Sequence, residues 1–316
     1  MKNIILDTDI GPDCDDAGAL ALLNIYADRG LCRILGVGHC TSNPYGAGAI
    51  DAICRHYGRD DVAIGTWTGG DFLNDEICSR YNKPITERLP NRYKERQPED
   101  VVRMYRRILA QQPDGGVEFV AIGPLNNLSA LLDSGADDVS RYTGKELVAR
   151  KVAKLTLMAG IFRPSDEDAA AEAERRGGKH IEEFAEYNVM CDVTASRNVA
   201  DNWPTPKSYI GWEAGLMETG DCFADESADH PVRMAYELWN GGRQCRRCSW
   251  DLMTVMYAVE KGSPCVRDSA AGWIRFTAEG YTHFTADENG SDHFGELAMD
   301  ESGIAKYIND ILASRI

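Results

Sequence analysis

Five aspartates fall within the stretch Asp7-Thr8-Asp9-Ile10-Gly11-Pro12-Asp13-Cys14-Asp15-Asp16, directly after the apolar run Ile4-Ile5-Leu6. Carboxylates this dense repel one another at neutral pH, so a fold that gathers them must offset the cost, and a bound cation does so most simply. No histidine or paired cysteine accompanies them, and all-oxygen donors select a hard cation, Ca2+ or Mg2+, over zinc. A solvated acidic turn that merely caps the next helix needs one carboxylate and leaves the others without a role.

The flanking elements place this stretch. Residues 3–6 are short, β-branched and apolar, as in a buried strand, whereas residues 17–27 carry Leu20, Leu22, Leu23 and Tyr26 at helical spacing. Gly11-Pro12 supplies the bend, and a strand-to-helix turn in an open α/β sheet lies at the carboxyl end of the strands, where ligands bind. Further strands are predicted at 33–38, 62–64, 117–122, 152–158 and 208–210. Helices are predicted at 46–57, 98–111 (with Pro98 at its first position), 128–132, 193–203, 231–239, 251–259 and 302–313, and a β-hairpin at 274–284 around Glu279-Gly280. The pattern predicts an α/β fold: a single domain over residues 1–316, with a mostly parallel central sheet flanked by helices and a small C-terminal hairpin. Residues 66–97 read as a long loop walling or covering the pocket. Residues 164–183 read as an exposed, charged insertion with no catalytic role, whose short helix starts at Ser165 and ends at Gly177-Gly178.

Composition excludes several classes. The 316 residues carry a formal net charge of −16, the opposite of a nucleic-acid surface. No apolar run is long enough to span a bilayer. The chain starts on a strand without a leader, which predicts a cytoplasmic protein. Ten scattered cysteines predict reduced thiols, and Cys245-Arg246-Arg247-Cys248 is an isolated CxxC without a second pair for zinc. None of the six histidines has metal-ligand spacing. Arg243, Arg246 and Arg247 read as surface charges.

The acidic turn resembles the N-terminal signature of the inosine-uridine nucleoside hydrolase family, in a form with two extra residues before the final Asp-Asp pair. Later segments follow in that family's order over nearly the whole chain. The resemblance implies a Rossmann-like nucleoside hydrolase fold and Ca2+-dependent cleavage of ribonucleosides to free base and ribose. Asp9 matches the aspartate that ligates calcium and accepts the proton of the attacking water, and Asp16 the second ligand. Asp15, the other catalytic aspartate, matches the one that hydrogen-bonds the ribose. Asp251, in Ser249-Trp250-Asp251-Leu252-Met253, matches the late aspartate that completes the carboxylate set. The carbonyl of Ile122 is the best match for a main-chain ligand. Asn43 and the Glu186 and Asn188 of Glu186-Tyr187-Asn188 match ribose-binding groups, and two side chains spaced by two on an extended segment point the same way.

Two positions depart from the family. His180 stands where an asparagine usually precedes the Glu by six residues. Trp250 replaces the histidine of the inosine-uridine members and resembles the purine-preferring branch, in which aromatic rings stack the base; Trp67 is a candidate for the second ring, with plain loop packing the competing reading. The resemblance also implies a homodimer or homotetramer, with a small-molecule nucleoside and neither nucleic acid nor membrane as partner. Two other readings compete. A haloacid-dehalogenase-type phosphatase would use Asp7 of Asp7-Thr8-Asp9 as nucleophile, and a calcium-dependent nucleoside-binding protein would keep the clamp without hydrolysis.

Overall fold

Alternation along the first strand divides the molecule into two cores. In the computed structural model, which describes residues 1–178, 180, 184–242, 244–260 and 262–314, strand β1 (Lys2–Thr8) is buried on both faces. Ile4 and Leu6 enter one core, and Ile5 enters the other. The next residues keep the two-residue repeat, so Asp7 lies on the Ile5 side and Thr8 on the Leu6 side.

The chain then winds α1 (Asp15–Asp28), β2 (Cys32–His39), α2 (Gly46–His56), β3 (Ala63–Thr66), α3 (Asn82–Arg88), β4 (Glu99–Asp100), α4 (Val101–Gln111), β5 (Val117–Ala121) and α5 (Asn126–Asp133). It continues through α6 (Gly144–Lys151), β6 (Val152–Met158), α7 (Asp166–Arg175), α8 (Tyr187–Cys191), α9 (Val193–Asn202) and β7 (Lys207–Ile210). Next come β8 (Glu218–Thr219), α10 (Pro231–Trp239), β9 (Arg247–Cys248) and α11 (Trp250–Val259). Last are β10 (Val266–Asp268), β11 (Gly272–Phe276), β12 (Thr282–Ala286), β13 (Asp292–Leu297) and α12 (Glu301–Ala313).

The large sheet runs β12-β11-β13-β7-β6-β5-β1-β2-β3-β4, with β10 beside β13; β8 and β9 form a separate pair. Every pairing from β4 to β13 is parallel, and only β10, β11 and β12 add antiparallel contacts. Strand order reverses at β1, which has β2 on one side and β5 on the other, and a crevice at the carboxyl ends is the usual ligand position. The mostly parallel α/β sheet flanked by helices is therefore as the sequence predicts, and the hairpin is present as β11 and β12.

Several details differ. Residues 66–97 are not a bare loop: they contain α3 between two short 3-10 turns, Glu76–Ser79 and Arg92–Lys94. α3 is short and carries Pro84, and it is held by packing on α2 rather than by propensity. α4 begins at Val101 because Asp100, not Pro98, caps it by accepting from the Arg103 N–H at 2.9 Å. α6 is a helix that the sequence pattern does not predict, and it starts on a capping box, Thr143 with Glu146. β13 pairs parallel to β7, with the Lys207 ammonium 3.0 Å from the Asp292 carboxylate beneath it. Among the described residues no helix is long and apolar enough to cross a membrane, and all ten cysteines are free.

Candidate active site

At the carboxyl end of β1 the alternation decides which aspartate faces what. Asp7 points to the Ile5 side, where Tyr105 of α4 donates to it and the Asn127 side chain of α5 donates at 2.8 Å. Asp7 is wholly buried, its pKa pushed up to about 7 by burial, and it does not line the cavity above. Thr8, on the other side, donates to Asp16 through its hydroxyl, and accepts the Ile10 N–H at 3.0 Å.

The turn that follows is braced from outside. Gly11 has φ +143°, and a Cβ there would meet the Cys78 carbonyl at 2.8 Å, so glycine is required on both counts. Asn82 of α3 donates to the Ile10 carbonyl at 2.6 Å, and Tyr81 to the Asp13 carbonyl at 2.6 Å. The 66–97 segment thus holds the acidic turn and contributes Ile77 to the cavity wall. Under Asp9, Gly123 leaves no space: a Cβ there would lie 2.8 Å from the Asp9 carboxylate.

α1 and α11 start side by side. Asp15 and Asp16 occupy the first turn of α1 and Asp251 that of α11, and neither helix has a side-chain cap. The Asp251 N–H donates to the Asp15 carboxylate at 3.2 Å across 236 residues of sequence. Both helix starts favour negative charge. Gly18 permits the approach, since a Cβ there would strike Tyr236 and press on Leu252 of α11. Carboxylate oxygens of Asp15, Asp16 and Asp251 come within 4.8 Å of one another, all buried. Asp9 faces the same space, and its charge is felt by Asp16 and Asp251, but among the described residues it stands outside that tight trio.

Burial, then the charge of neighbouring carboxylates (Asp13 for Asp15, Asp9 and Asp15 for Asp16, Asp15 and Asp16 for Asp251), drives the carboxyls of Asp15, Asp16 and Asp251 well above the usual range, and burial brings Asp9 to about 7. Arg247, whose charge reaches Asp15, is committed to Asp13 by a bidentate ion pair, with Nε 2.9 Å from both carboxylate oxygens. A buried set of carboxylate oxygens without His or Cys suits a hard divalent cation. Asp15, Asp16 and Asp251 could hold such a cation, and Asp9 and Ile122, which the resemblance adds to the ligand set, line the same cavity.

Above this floor lies a cavity of about 390 Å³, lined also by Met158, Glu186, Tyr187, Asn188 and three tryptophans, Trp212, Trp239 and Trp250. Glu186 and Asn188 are brought together, though on the start of helix α8 and not on an extended segment. The Glu186 carboxylate caps that helix, accepting from the Asn188 and Val189 N–H groups at 2.9 and 3.2 Å. Burial raises its pKa to about 7 against those bonds. Asn188 donates to the Met158 carbonyl at 3.1 Å.

A sequence model of the inosine-uridine preferring nucleoside hydrolase family matches residues 4–304. The chain belongs to that family. No curated protein matches it by sequence alone. Solved structures confirm the fold across the whole nucleoside hydrolase chain. The inosine-uridine preferring nucleoside hydrolase from Bacillus anthracis is 16% identical, with 99% of each chain covered and a TM-score of 0.68. A purine-preferring ribonucleoside hydrolase from Gardnerella vaginalis is 15% identical, with 99% of each chain covered and a TM-score of 0.70. An inosine-guanosine nucleoside hydrolase is 16% identical, covering 100% of this chain and 99% of its own, with a TM-score of 0.70. This nucleoside hydrolase is accordingly an enzyme that hydrolyses N-glycosyl compounds.

Not every expected residue reaches the nucleoside hydrolase cavity. Asn43 is buried but turned into its own loop, accepting from the Tyr45 N–H at 3.0 Å and donating to Ser79 at 2.9 Å, and it does not line the cavity. Trp67 lies elsewhere too, packed by Gly69; the tryptophans that line the cavity with Trp250 are Trp212 and Trp239. The Trp250 indole donates to the Trp212 carbonyl at 2.7 Å, which fixes its ring. His180 is exposed and away from the cavity. Arg246 pairs with Asp221 at the surface as expected, Arg243 lies outside the described residues, and Arg247 is not a surface charge but a cavity residue. Arg175 and Arg176, from the supposedly inert insertion, also line it. Nothing in their spacing pointed there; the signal was only that two arginines follow a capped helix.

Proposed function

We propose that this hydrolase cleaves the N-glycosidic bond of ribonucleosides, purine nucleosides above all, to free base and ribose, with Ca2+ as its cation. One observation carries the reading: Asp251 meets Asp15 and Asp16 at the floor of the cavity that Asp9 also faces. A divalent cation held by these carboxylates would supply a more acidic water and open positions for two vicinal hydroxyls, since Ca2+ accepts more oxygens than the protein offers here.

The side chains do the rest. Asp9 takes the proton of the attacking water as its oxygen bonds to C1′. The bond from C1′ to the base nitrogen breaks, and the pair of electrons leaves with the base. Asp15, Glu186 and Asn188 hold the sugar hydroxyls, and the surrounding carboxylates stabilise the positive charge that grows on the sugar. The tryptophans give the base flat apolar faces, which favours the larger purine rings. Trp250 has spent its one donor on Trp212, so it holds the base by stacking and not by protonating it.

The phosphatase reading has no support, because Asp7 is shut away between Tyr105 and Asn127. The test is a panel of inosine, adenosine, guanosine, uridine and cytidine, assayed for free ribose with and without a chelator. Ribose release from purines that stops on chelation and returns best with Ca2+ is expected. Calorimetric binding of a nucleoside with no base released over hours would instead establish a binding protein, and faster release from uridine or cytidine would sink the purine preference.

A further inference from the structure

The acidic floor accounts for the ribose, but three arginines around the same cavity have no counterpart in a neutral nucleoside. Arg175 and Arg176 come from the end of α7 and Arg247 from β9. Arg175 and Arg176 share a single carboxylate, Glu172, with Arg175 bonded to it at 2.6 and 2.7 Å and Arg176 at 2.5 Å. One carboxylate between two guanidinium groups leaves one positive charge in excess at the rim. Arg176 is fixed over the Phe184 ring at 4.9 Å and donates to the Ala185 carbonyl at 3.2 Å, so its charge is felt by the Glu186 carboxyl. Arg175 keeps 67% of its side chain exposed, and its charge and that of Arg247 oppose each other. Asp13 offsets the charge of Arg247 and Glu172 that of one of the other two, so a single positive charge is left over to favour an anion at the mouth, and planar guanidinium groups grip phosphate oxygens in pairs.

A nucleoside held by its vicinal hydroxyls on the floor and by its base among the tryptophans has one unclaimed end, the 5′ carbon. We propose that the rim made by Arg175, Arg176 and Arg247 binds a phosphate ester on that carbon, so that ribonucleoside 5′-phosphates are bound in preference to neutral nucleosides. This rests on the nucleoside-hydrolase reading of the floor. A nucleotide brings close to two negative charges and several acceptor oxygens to a rim that has donors to offer.

The experiment compares binding of adenosine and adenosine 5′-monophosphate by calorimetry, with Ca2+ in fixed excess and at two salt concentrations, in the wild type and in Arg175→Glu. Arg175 is exposed but pairs with Glu172, so a thermal melt of the variant, and Arg175→Gln beside it, separate loss of the rim charge from loss of the helix. The expected result is at least tenfold tighter binding of the nucleotide, an advantage that shrinks with salt, and at least a tenfold fall of that nucleotide-to-nucleoside ratio in the variant. Equal affinity for the two ligands, or a ratio that Arg175→Glu leaves unmoved, overturns the proposal. So does orotidine binding more tightly than uridine while the 5′-phosphate gives no gain, because the anion would then sit on the base. Base release is read separately. Tight nucleotide binding without any base release sustains the rim and sinks the hydrolytic reading; adenosine cleaved with no nucleotide advantage does the reverse.

Discussion

Asp16 and Arg175 face the same cavity, yet they are placed by opposite means. Asp16 is 2% exposed and is fixed by the register of β1, the start of α1 and the packing of α1 on α11. Arg175 sits at the end of a helix whose only buried residue is Glu172 and whose start is set by one hydroxyl, that of Ser165. The floor is thus determined many times over by long-range contacts, and the Arg175–Arg176 side of the rim by a few local ones. Chemistry that needs several carboxylates in one place belongs on the first kind of structure, while recognition of what the substrate carries beyond the sugar can be carried by the second.

The largest expected effect breaks the floor at its reacting group. Asp9→Asn keeps shape and removes the proton acceptor, and kcat for a purine nucleoside is expected to fall about a thousandfold, or about 4 kcal/mol of transition-state stabilisation. Because burial holds the Asp9 carboxyl near pKa 7, removing its charge relieves a cost, and the melting temperature in chelator is expected to hold or rise. A variant with wild-type kcat would take the general-base role from Asp9. The same change would show whether the rim acts alone, since the ratio of nucleotide to nucleoside affinity should survive it even if both affinities fall.

The same contrast explains what was legible in the sequence. The strand, the acid-rich turn and the late Asp251 could be found because their chemistry is dense and its order along the chain is fixed. The two-residue repeat from Ile5 to Asp7 already excluded Asp7 from the pocket, a step the sequence permits but a motif search passes over. Asn43 looked like a ligand by position, but an asparagine after a strand also closes its own turn, and here it does. Trp212, Trp239 and Arg175 carry no signal in the sequence, and Arg247 reads there as a surface charge, for another reason. Each reaches the cavity through tertiary placement of an element whose local pattern says only helix, turn or surface.

A second, smaller effect sharpens the comparison by pH. His39 ends β2 close under the turn, its ring 3.0 Å from the Thr66 hydroxyl and 2.9 Å from that of Thr41. Burial lowers its pKa to about 4 from an ordinary value of 6.5. The unfolded chain therefore takes up a proton between pH 6.5 and 4 that the folded chain refuses. Stability from this group is complete above about pH 6.5 and is lost as pH falls, amounting to about 3 kcal/mol by pH 4. Urea midpoints of the wild type and His39→Gln, measured at pH 7 and 4.5, should converge or cross toward the acid side. A constant difference between them would mean that the imidazole does not titrate against the fold.

The smallest effect tests whether the rim is a separate unit. Ser165 accepts the Asp168 N–H at 3.1 Å, and Ser165→Ala removes that cap at a cost of about 1 kcal/mol. If α7 opens by itself, its amides over residues 166–175 should exchange about fivefold faster, while those of α1 and α11 keep their rates and the global melting temperature does not move. Acceleration in α1 as well would mean that α7 unfolds only together with the floor. The separation of the two regions would then fail, because a segment that shares the floor's cooperativity cannot be altered without disturbing the carboxylates beneath it.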